Sequence, residues 1–214
     1  MKATVLDNLA KAVIEYDPTA AEAWARTAVA EGIDPIQALD ALTEAIRQVG
    51  DGFERDELFL PELVGAASAM QAAMPVLQEQ IEKSGVVRQS LGVIIIGTVF
   101  GDIHTIGKTM VTTLCAAEGF EVHDLGVNVT AEGFIEGIKE YHADILAMSA
   151  LMTMTVPQIR KVIHTLKEQG LRDQVKVLVG GAGVTESFAE AVGADGYDPT
   201  APGAAKLARK LVGK

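Results

Sequence analysis

Asp102 and His104 lie two residues apart in the run Gly97-Thr98-Val99-Phe100-Gly101-Asp102-Ile103-His104-Thr105-Ile106-Gly107-Lys108, and their spacing suits metal chemistry. A carboxylate so placed orients an imidazole and strengthens it as a metal ligand. One histidine is only one ligand. A zinc site built from protein alone needs about three or four, and the sequence holds no CxxC, HExxH or second nearby histidine to complete one. Most of the coordination must therefore arrive with a cofactor.

The elements around the pair place it at the mouth of a sheet. Leu91 to Ile96 (LGVIII) reads as a buried parallel strand, and Met110, Val111, Leu114 and Cys115 give the stretch beyond the run a helical face. From there strand and helix alternate. Strands are expected at 91–96, 120–125, 144–149, 175–179 and 195–197, with helices at 105–118, 130–142, 155–169, 185–192 and 200–212. This rhythm predicts an α/β domain, a flavodoxin/Rossmann-like five-stranded parallel sheet of order 2-1-3-4-5. Its ligand would sit beyond the carboxyl ends of the strands, beside the first.

Three loops then share one crevice: Asp102 to Gly107, Ser149 to Thr155, and Gly180 to Gly183. Ser149, Thr153 and Thr155 offer hydroxyls to a buried polar ligand or to a hydrogen-bond chain from Asp102. Thr155 reads equally well as a helix N-cap. Gly180, Gly181 and Gly183 allow backbone to approach a planar base or a phosphate, and an ordinary strand-to-helix turn accounts for them too. His123, His142 and His164 lack ligand spacing and are expected on the surface or in the core.

Asp-x-His-x-x-Gly after a strand, within GDIHTIGK, resembles the cobalamin-binding signature of corrinoid proteins. The resemblance implies a cobalamin or related corrinoid whose cobalt takes His104 as lower axial ligand, with Asp102 as its hydrogen-bond partner. It further implies that Gly101, Ile103, Thr105, Ile106 and Gly107 line the cofactor, that Ser149 and Leu151 flank its nucleotide tail, and that Thr155 completes a relay to Asp102. Gly193 to Asp198, with Gly196, resembles the segment that closes the same pocket. Phe100 and Thr105 depart from the family, whose members often carry charged residues there.

The first half reads as helices, at 3–16, 18–31, 35–50 and 61–84. Asp17-Pro18 and Asp34-Pro35 are start signals, Gly32 and Gly50 fit helix ends, and Pro75 is expected to kink the last helix. Leu39, Leu42, Ile46 and Val49 form one apolar stripe; Leu63, Val64, Ala67, Met70, Met74 and Leu77 form another. Residues 1–88 are thus expected as a four-helix bundle with a linker near Ser84-Gly85, and 89–214 as the α/β domain. Val49 to Glu62 resembles the cap of methyl-carrying corrinoid proteins, including the module of cobalamin-dependent methionine synthase. That likeness implies that Phe53 and Leu60 shield the upper face of the corrin.

Taken whole, the chain resembles the corrinoid methyl carriers of anaerobic methyltransferase systems. The family's cofactor cycles between methylcobalt(III) and cobalt(I). The implied partners are a substrate-specific methyltransferase, a second methyltransferase that serves the acceptor, and a reductive activation protein; the carrier is not a complete catalyst alone. The alternatives are a cobalamin-dependent sensor, the small subunit of a mutase, which normally lacks the cap, and a cofactor-free module.

Composition sets outer limits. The formal charge of −11 argues against nucleic acid or an anionic membrane as partner. Residues 1–88 hold 7 basic and 15 acidic side chains against 11 and 14 in the remainder, so the acidic excess belongs mainly to the bundle. Neither a signal sequence nor an apolar run of about 18 residues is evident, which predicts a cytoplasmic protein. Cys115, the single cysteine, falls on an apolar helical face and reads as an inert buried thiol.

Overall fold

The computed structural model describes residues 2–84 and 90–213. Two compact units divide the chain, Met1–Gln89 and Ser90–Lys214. Gly85, half of the expected linker, lies outside the described residues.

Unit one is four helices: α1 (Lys2–Ile14), α2 (Pro18–Ala30), α3 (Pro35–Glu54) and α4 (Leu60–Ser84). The two Asp-Pro signals act as read, since Asp17 accepts from the Ala20 N–H and Asp34 from the Ile36 N–H. Gly32, at φ +63°, takes the left-handed turn that follows α2. Alanines at 21, 25 and 28 on α2 and at 66, 69 and 73 on α4 are fully buried, which lets these two helices pack closely. Leu9, Leu42, Ile46, Leu63, Met70 and Leu77 fill the rest of the core.

One expectation for this unit changes. Gly50 does not end α3, which runs on through Phe53 to Glu54. Gly50 and Gly52 are buried, and a Cβ on Gly52 would stand 2.9 Å from the Leu58 side chain. Gly52 is there for close packing, and the turn is made by Asp56 at φ +59°. Pro75 lies inside α4, which continues on either side of it. Its ring is exposed on the outer face of the helix.

Unit two is β1 (Val93–Thr98), α5 (Ile106–Glu118), β2 (Glu121–Asp124), α6 (Ala131–Tyr141), β3 (Ile145–Ser149), α7 (Pro157–Glu168), β4 (Lys176–Gly180), α8 (Glu186–Val192), β5 (Gly196–Tyr197) and α9 (Ala201–Leu211). Every strand pair is parallel and the order is β2-β1-β3-β4-β5, as the alternation predicts. One face of the sheet presents Ile95, Leu146, Met148, Val177 and Val179 to a core that includes Phe134, Ile159 and Ile163. Gly97 shares that face, where a Cβ would meet the Phe134 ring at 2.7 Å.

β1 reaches two residues beyond the expected end. Gly97 and Thr98 pair with Met148 and Ser149, and Thr98 also donates its N–H to the Gly126 carbonyl. With a parallel neighbour on each side these backbone groups are satisfied as strand, so the ligand loop starts later than the apolar run suggests. Cys115 is buried against α5's neighbours, and burial, then the Glu118 charge, push its thiol up to about 12, so it is inert.

Candidate functional site

The loop after β1 is built by two consecutive turns. The Asp102 N–H donates to the Val99 carbonyl, and Gly101 sits at φ +81° in the third position, which a type II turn requires of glycine. Asp102 then accepts the His104 N–H at 3.1 Å, an Asx turn. The Thr98 hydroxyl, fully buried, donates to the His104 carbonyl at 2.9 Å. Both ends of the segment Asp102 to His104 are therefore pinned before any ligand is considered.

Asp102 is completely buried and fully occupied. Oδ1 takes the His104 ring Nδ1 at 2.7 Å as well as the His104 N–H. Oδ2 takes the Leu151 N–H at 2.8 Å, the Thr155 hydroxyl at 2.9 Å and the Met152 N–H at 3.3 Å. Burial works to raise this carboxyl, but the His104 ring and N–H, the Leu151 N–H and the Thr155 hydroxyl outweigh it. They hold it well below the usual carboxylate range. An ionised carboxylate only accepts, so His104 Nδ1 donates in this contact, and in the neutral ring Nε2 presents a lone pair.

Thr155 joins this network and is not an N-cap. α7 begins at Pro157 behind Val156, and the Thr155 hydroxyl is shared between Asp102 and the Met152 carbonyl. His104, Asp102 and Thr155 thus form one hydrogen-bonded line across the carboxyl ends of β1 and β3.

The His104 ring is half-exposed, and the loops at its end of the sheet are apolar and open. Phe100, Ile103, Ile106, Val127, Leu151, Met152 and Met154 are all exposed, Ile103 at 72% and Met154 at 87%, and all belong to the loops at this end of the sheet or the first turn of α5. Such a concentration of exposed apolar side chains around a polar handle marks a ligand surface. On the face of the sheet toward α5 and α9, Ser149 stands between Thr98 and Gly180 in register, a row of small side chains. A Cβ added at Gly107 would meet nothing within 4 Å, so the start of α5 borders free space.

Gly181 and Gly183 approach the opposite loop closely. A Cβ on Gly181 would come within 2.4 Å of the Ala150 carbonyl, and one on Gly183 within 2.9 Å of the Leu151 carbonyl. Gly196 is also accounted for by packing, against Leu207 of α9, whereas a Cβ on Gly180 would reach only ordinary contact, 3.4 Å, with the Asp198 carbonyl. Thr105 precedes α5 without a side-chain capping bond, and Thr153 is exposed. In the other unit, Phe53 is half-buried on the last turn of α3, while Phe59 and Leu60 are exposed at the start of α4. The remaining histidines stand apart. His123 stacks on Tyr141 and pairs with Glu121, His142 makes the left-handed end of α6, and His164 pairs with Glu168.

A family model described as a B12 binding domain matches residues 92–206, and a second so described matches 5–78. The chain belongs to the corrinoid proteins. Trimethylamine corrinoid protein 2 of Methanosarcina acetivorans is 42% identical over 94% of this chain and 93% of its own. Dimethylamine corrinoid protein 1 of the same organism is 42% identical over 99% of both. Among solved structures, the methanol:cobalamin methyltransferase complex MtaBC of Methanosarcina barkeri superposes with a TM-score of 0.83 at 29% identity. That match covers all of this chain and 82% of the other.

The corrinoid protein's residues fit the cofactor that the family binds. Among the described residues no group of three or more His, Cys, Asp or Glu could hold a bare metal ion, whereas a corrin brings its own equatorial ligands. It asks of the protein one axial donor, an apolar seat and room for a polar tail. His104 Nε2, the exposed Ile103, Ile106 and Met152, and the Ser149–Gly180 row match these in turn. The sequence missed Asn128 and Lys108. Asn128 accepts the Gly101 N–H at 2.7 Å, and buried Lys108 pairs with Asp124 at the end of β2. The only signal for Asn128 was its place in a strand-to-helix loop.

Proposed function

We propose that this corrinoid protein takes a methyl group from a methylamine through a substrate-specific methyltransferase and delivers it to a second methyltransferase. The observation that carries the reading is the Asp102–His104 pair, one ring nitrogen committed to a buried carboxylate on a half-exposed imidazole among loops that expose apolar side chains. When bound, the corrin supplies a cobalt centre that accepts a methyl group as a nucleophile and gives it up again.

Everything else falls to the chain. His104 Nε2 would hold the cofactor's metal, and Asp102 fixes the tautomer that makes this possible. Thr155 keeps Asp102 oriented and provides a hydroxyl through which a proton can enter the line. Gly101, Ile103, Thr105, Ile106, Gly107 and Leu151 seat the ring, with Ser149, Thr153, Gly180, Gly181 and Gly196 toward the tail. Phe53 and Leu60 are the apolar residues that the family resemblance assigns to keeping water from the cofactor, since a low-valent metal would be lost to protons or oxidants.

A methylamine is favoured as donor because the di- and trimethylamine corrinoid proteins match at 42% identity, against 29% for the methanol complex. That complex supports a methyltransferase as a docking partner, and a reductive activator follows from the need to restore the low-valent state. No helix among the described residues is long and apolar enough to cross a membrane, in keeping with a cytoplasmic place for this exchange.

The test is transfer itself. Loaded with hydroxocobalamin and reduced to cobalt(I), the chain should lose the cobalt(I) absorption when given di- or trimethylamine and a methyltransferase specific for it. A loaded chain whose spectrum is unmoved by any methylamine or methanol methyltransferase would contradict the carrier reading.

A further inference from the structure

The turn that carries the histidine is held from outside by one residue of the β2–α6 loop. The Asn128 Oδ1 accepts the Gly101 N–H at 2.7 Å, and the Asn128 N–H donates to the Asp102 carbonyl at 3.0 Å. The same residue thus grips two successive residues of the turn, one through its side chain and one through its backbone. Asn128 lies at φ +56°, a left-handed conformation that asparagine tolerates better than most residues, opposite Gly101 at φ +81°.

Its neighbours make the grip firm. The Thr98 N–H donates to the Gly126 carbonyl and the Val129 N–H to the Thr98 carbonyl, both at 3.0 Å, and Val99 bridges Val129. Residues 126–129 therefore extend the sheet alongside the end of β1. Gly126 is anchored in turn by Asp124, whose Oδ1 accepts its N–H at 2.8 Å while Oδ2 pairs with Lys108. The chemistry of the turn itself, glycine then aspartate, does not fix how the turn sits on the sheet. This brace does.

We propose that Asn128 is a positioning residue for the metal ligand: by clamping Gly101 and Asp102 to the sheet it sets the direction in which His104 Nε2 points. The inference rests on His104 being the axial ligand. Freed from the clamp, the turn keeps its internal hydrogen bonds but rocks about Val99, and the imidazole leaves the cobalt more often. Since only the amide oxygen accepts, aspartate at the same position preserves the contact and glycine preserves the backbone without it.

Two measurements on the full chain test this. Amide exchange of Gly101 in the cofactor-free Asn128→Gly protein should be about five-fold faster than in the parent, the loss of one ordinary hydrogen bond. With cobalamin loaded and reduced to cobalt(II), the ratio of histidine-off to histidine-on species by spin resonance should rise about as much at equal cofactor content. Asn128→Asp should bring both readings back toward the parent. Should Asn128→Gly not fold, Asn128→Ala takes its place in the same comparison. Unchanged exchange and an unchanged ratio in the variant lacking the acceptor, or an Asn128→Asp protein as impaired as that variant, would overturn the proposal. A parent protein without histidine hyperfine splitting would overturn the ligand reading instead, and the exchange measurement would still report on the clamp.

Discussion

Asp102→Ala is expected to destabilise the cofactor-free chain by about 3 kcal/mol, a fall in Tm on the order of 10 °C. The carboxylate is completely buried and takes hydrogen bonds from the His104 ring, the His104, Leu151 and Met152 N–H groups and the Thr155 hydroxyl. Removing it strands donors in a site that is already closed, at roughly 1–3 kcal/mol for each one left unpaired. Water entering the vacated space recovers part of this.

Asp102→Asn is the sharper variant. Whichever way its amide turns, an NH2 faces groups that now donate: His104 on one side, Leu151 on the other. Thr155 can reverse its hydroxyl, and His104 can shift its proton to Nε2, which relieves the clash by spoiling the ligand. Denaturant unfolding should therefore show a smaller loss, about 1–2 kcal/mol, together with weakened metal ligation. The pH dependence follows from the sign of the shift. The folded carboxyl is held below its ordinary value of 3.8, so its stabilisation is fully present above about pH 4 and fades as the pH falls further. The gap between parent and Asp102→Asn should narrow in that acid range; a gap that widened there would mean the carboxylate is not held by these donors.

Gly181→Ala should cost the chain at least about ten-fold in cobalamin affinity, some 1.4 kcal/mol or more. The position is left-handed, φ +101°, where a Cβ costs roughly 1–2 kcal/mol before packing is counted. Here the new methyl would also stand 2.4 Å from the Ala150 carbonyl oxygen and 3.0 Å from its nitrogen. Backbone must give way, and that backbone continues into Leu151 and Met152, whose N–H groups hold Asp102. The disturbance therefore reaches His104 through three residues.

Gly107→Ala is its counterpart. The methyl enters free space at the start of α5, where alanine also favours the helix, so the apo protein should be as stable or slightly more so. Weaker cofactor binding there, without loss of Tm, would locate the corrin beside that turn. Isothermal titration and thermal melts of both variants separate the two effects. Equal affinity in Gly181→Ala and parent would show that the two glycine-rich loops do not shape the site.

Most of the fold could be read from periodicity because each half carries a single clear one. In the second half the apolar runs 93–96, 145–148 and 177–179 are buried on both faces, and helices with Gly119, Gly193 and Thr200 at their ends punctuate them. The errors fall on glycines. Gly50 fits a helix end by residue type yet lies buried inside α3, and the strand expected to stop before Gly97 runs on through it beside the Phe134 ring, which only tertiary contact reveals. The Asp102–His104 contact was legible because it spans two residues. Thr155, 53 residues from Asp102, remained divided between capping and relay until the β1 and β3 ends were set side by side. Asn128 carried no signal beyond its place in a strand-to-helix loop, because its two contacts depend on how far β1 and the loop before α6 run together.

The central claim is that His104 Nε2 is the lower ligand of the corrinoid's cobalt. Spin resonance of the cobalt(II) form, prepared with hydroxocobalamin in the parent and in His104→Ala and with 15N-labelled histidine in the parent, reads that bond directly. The parent should show hyperfine splitting from one axial nitrogen that changes from a triplet to a doublet pattern on labelling. His104→Ala should bind the cofactor without it. Splitting that survives in His104→Ala, or that ignores the label, would contradict the account.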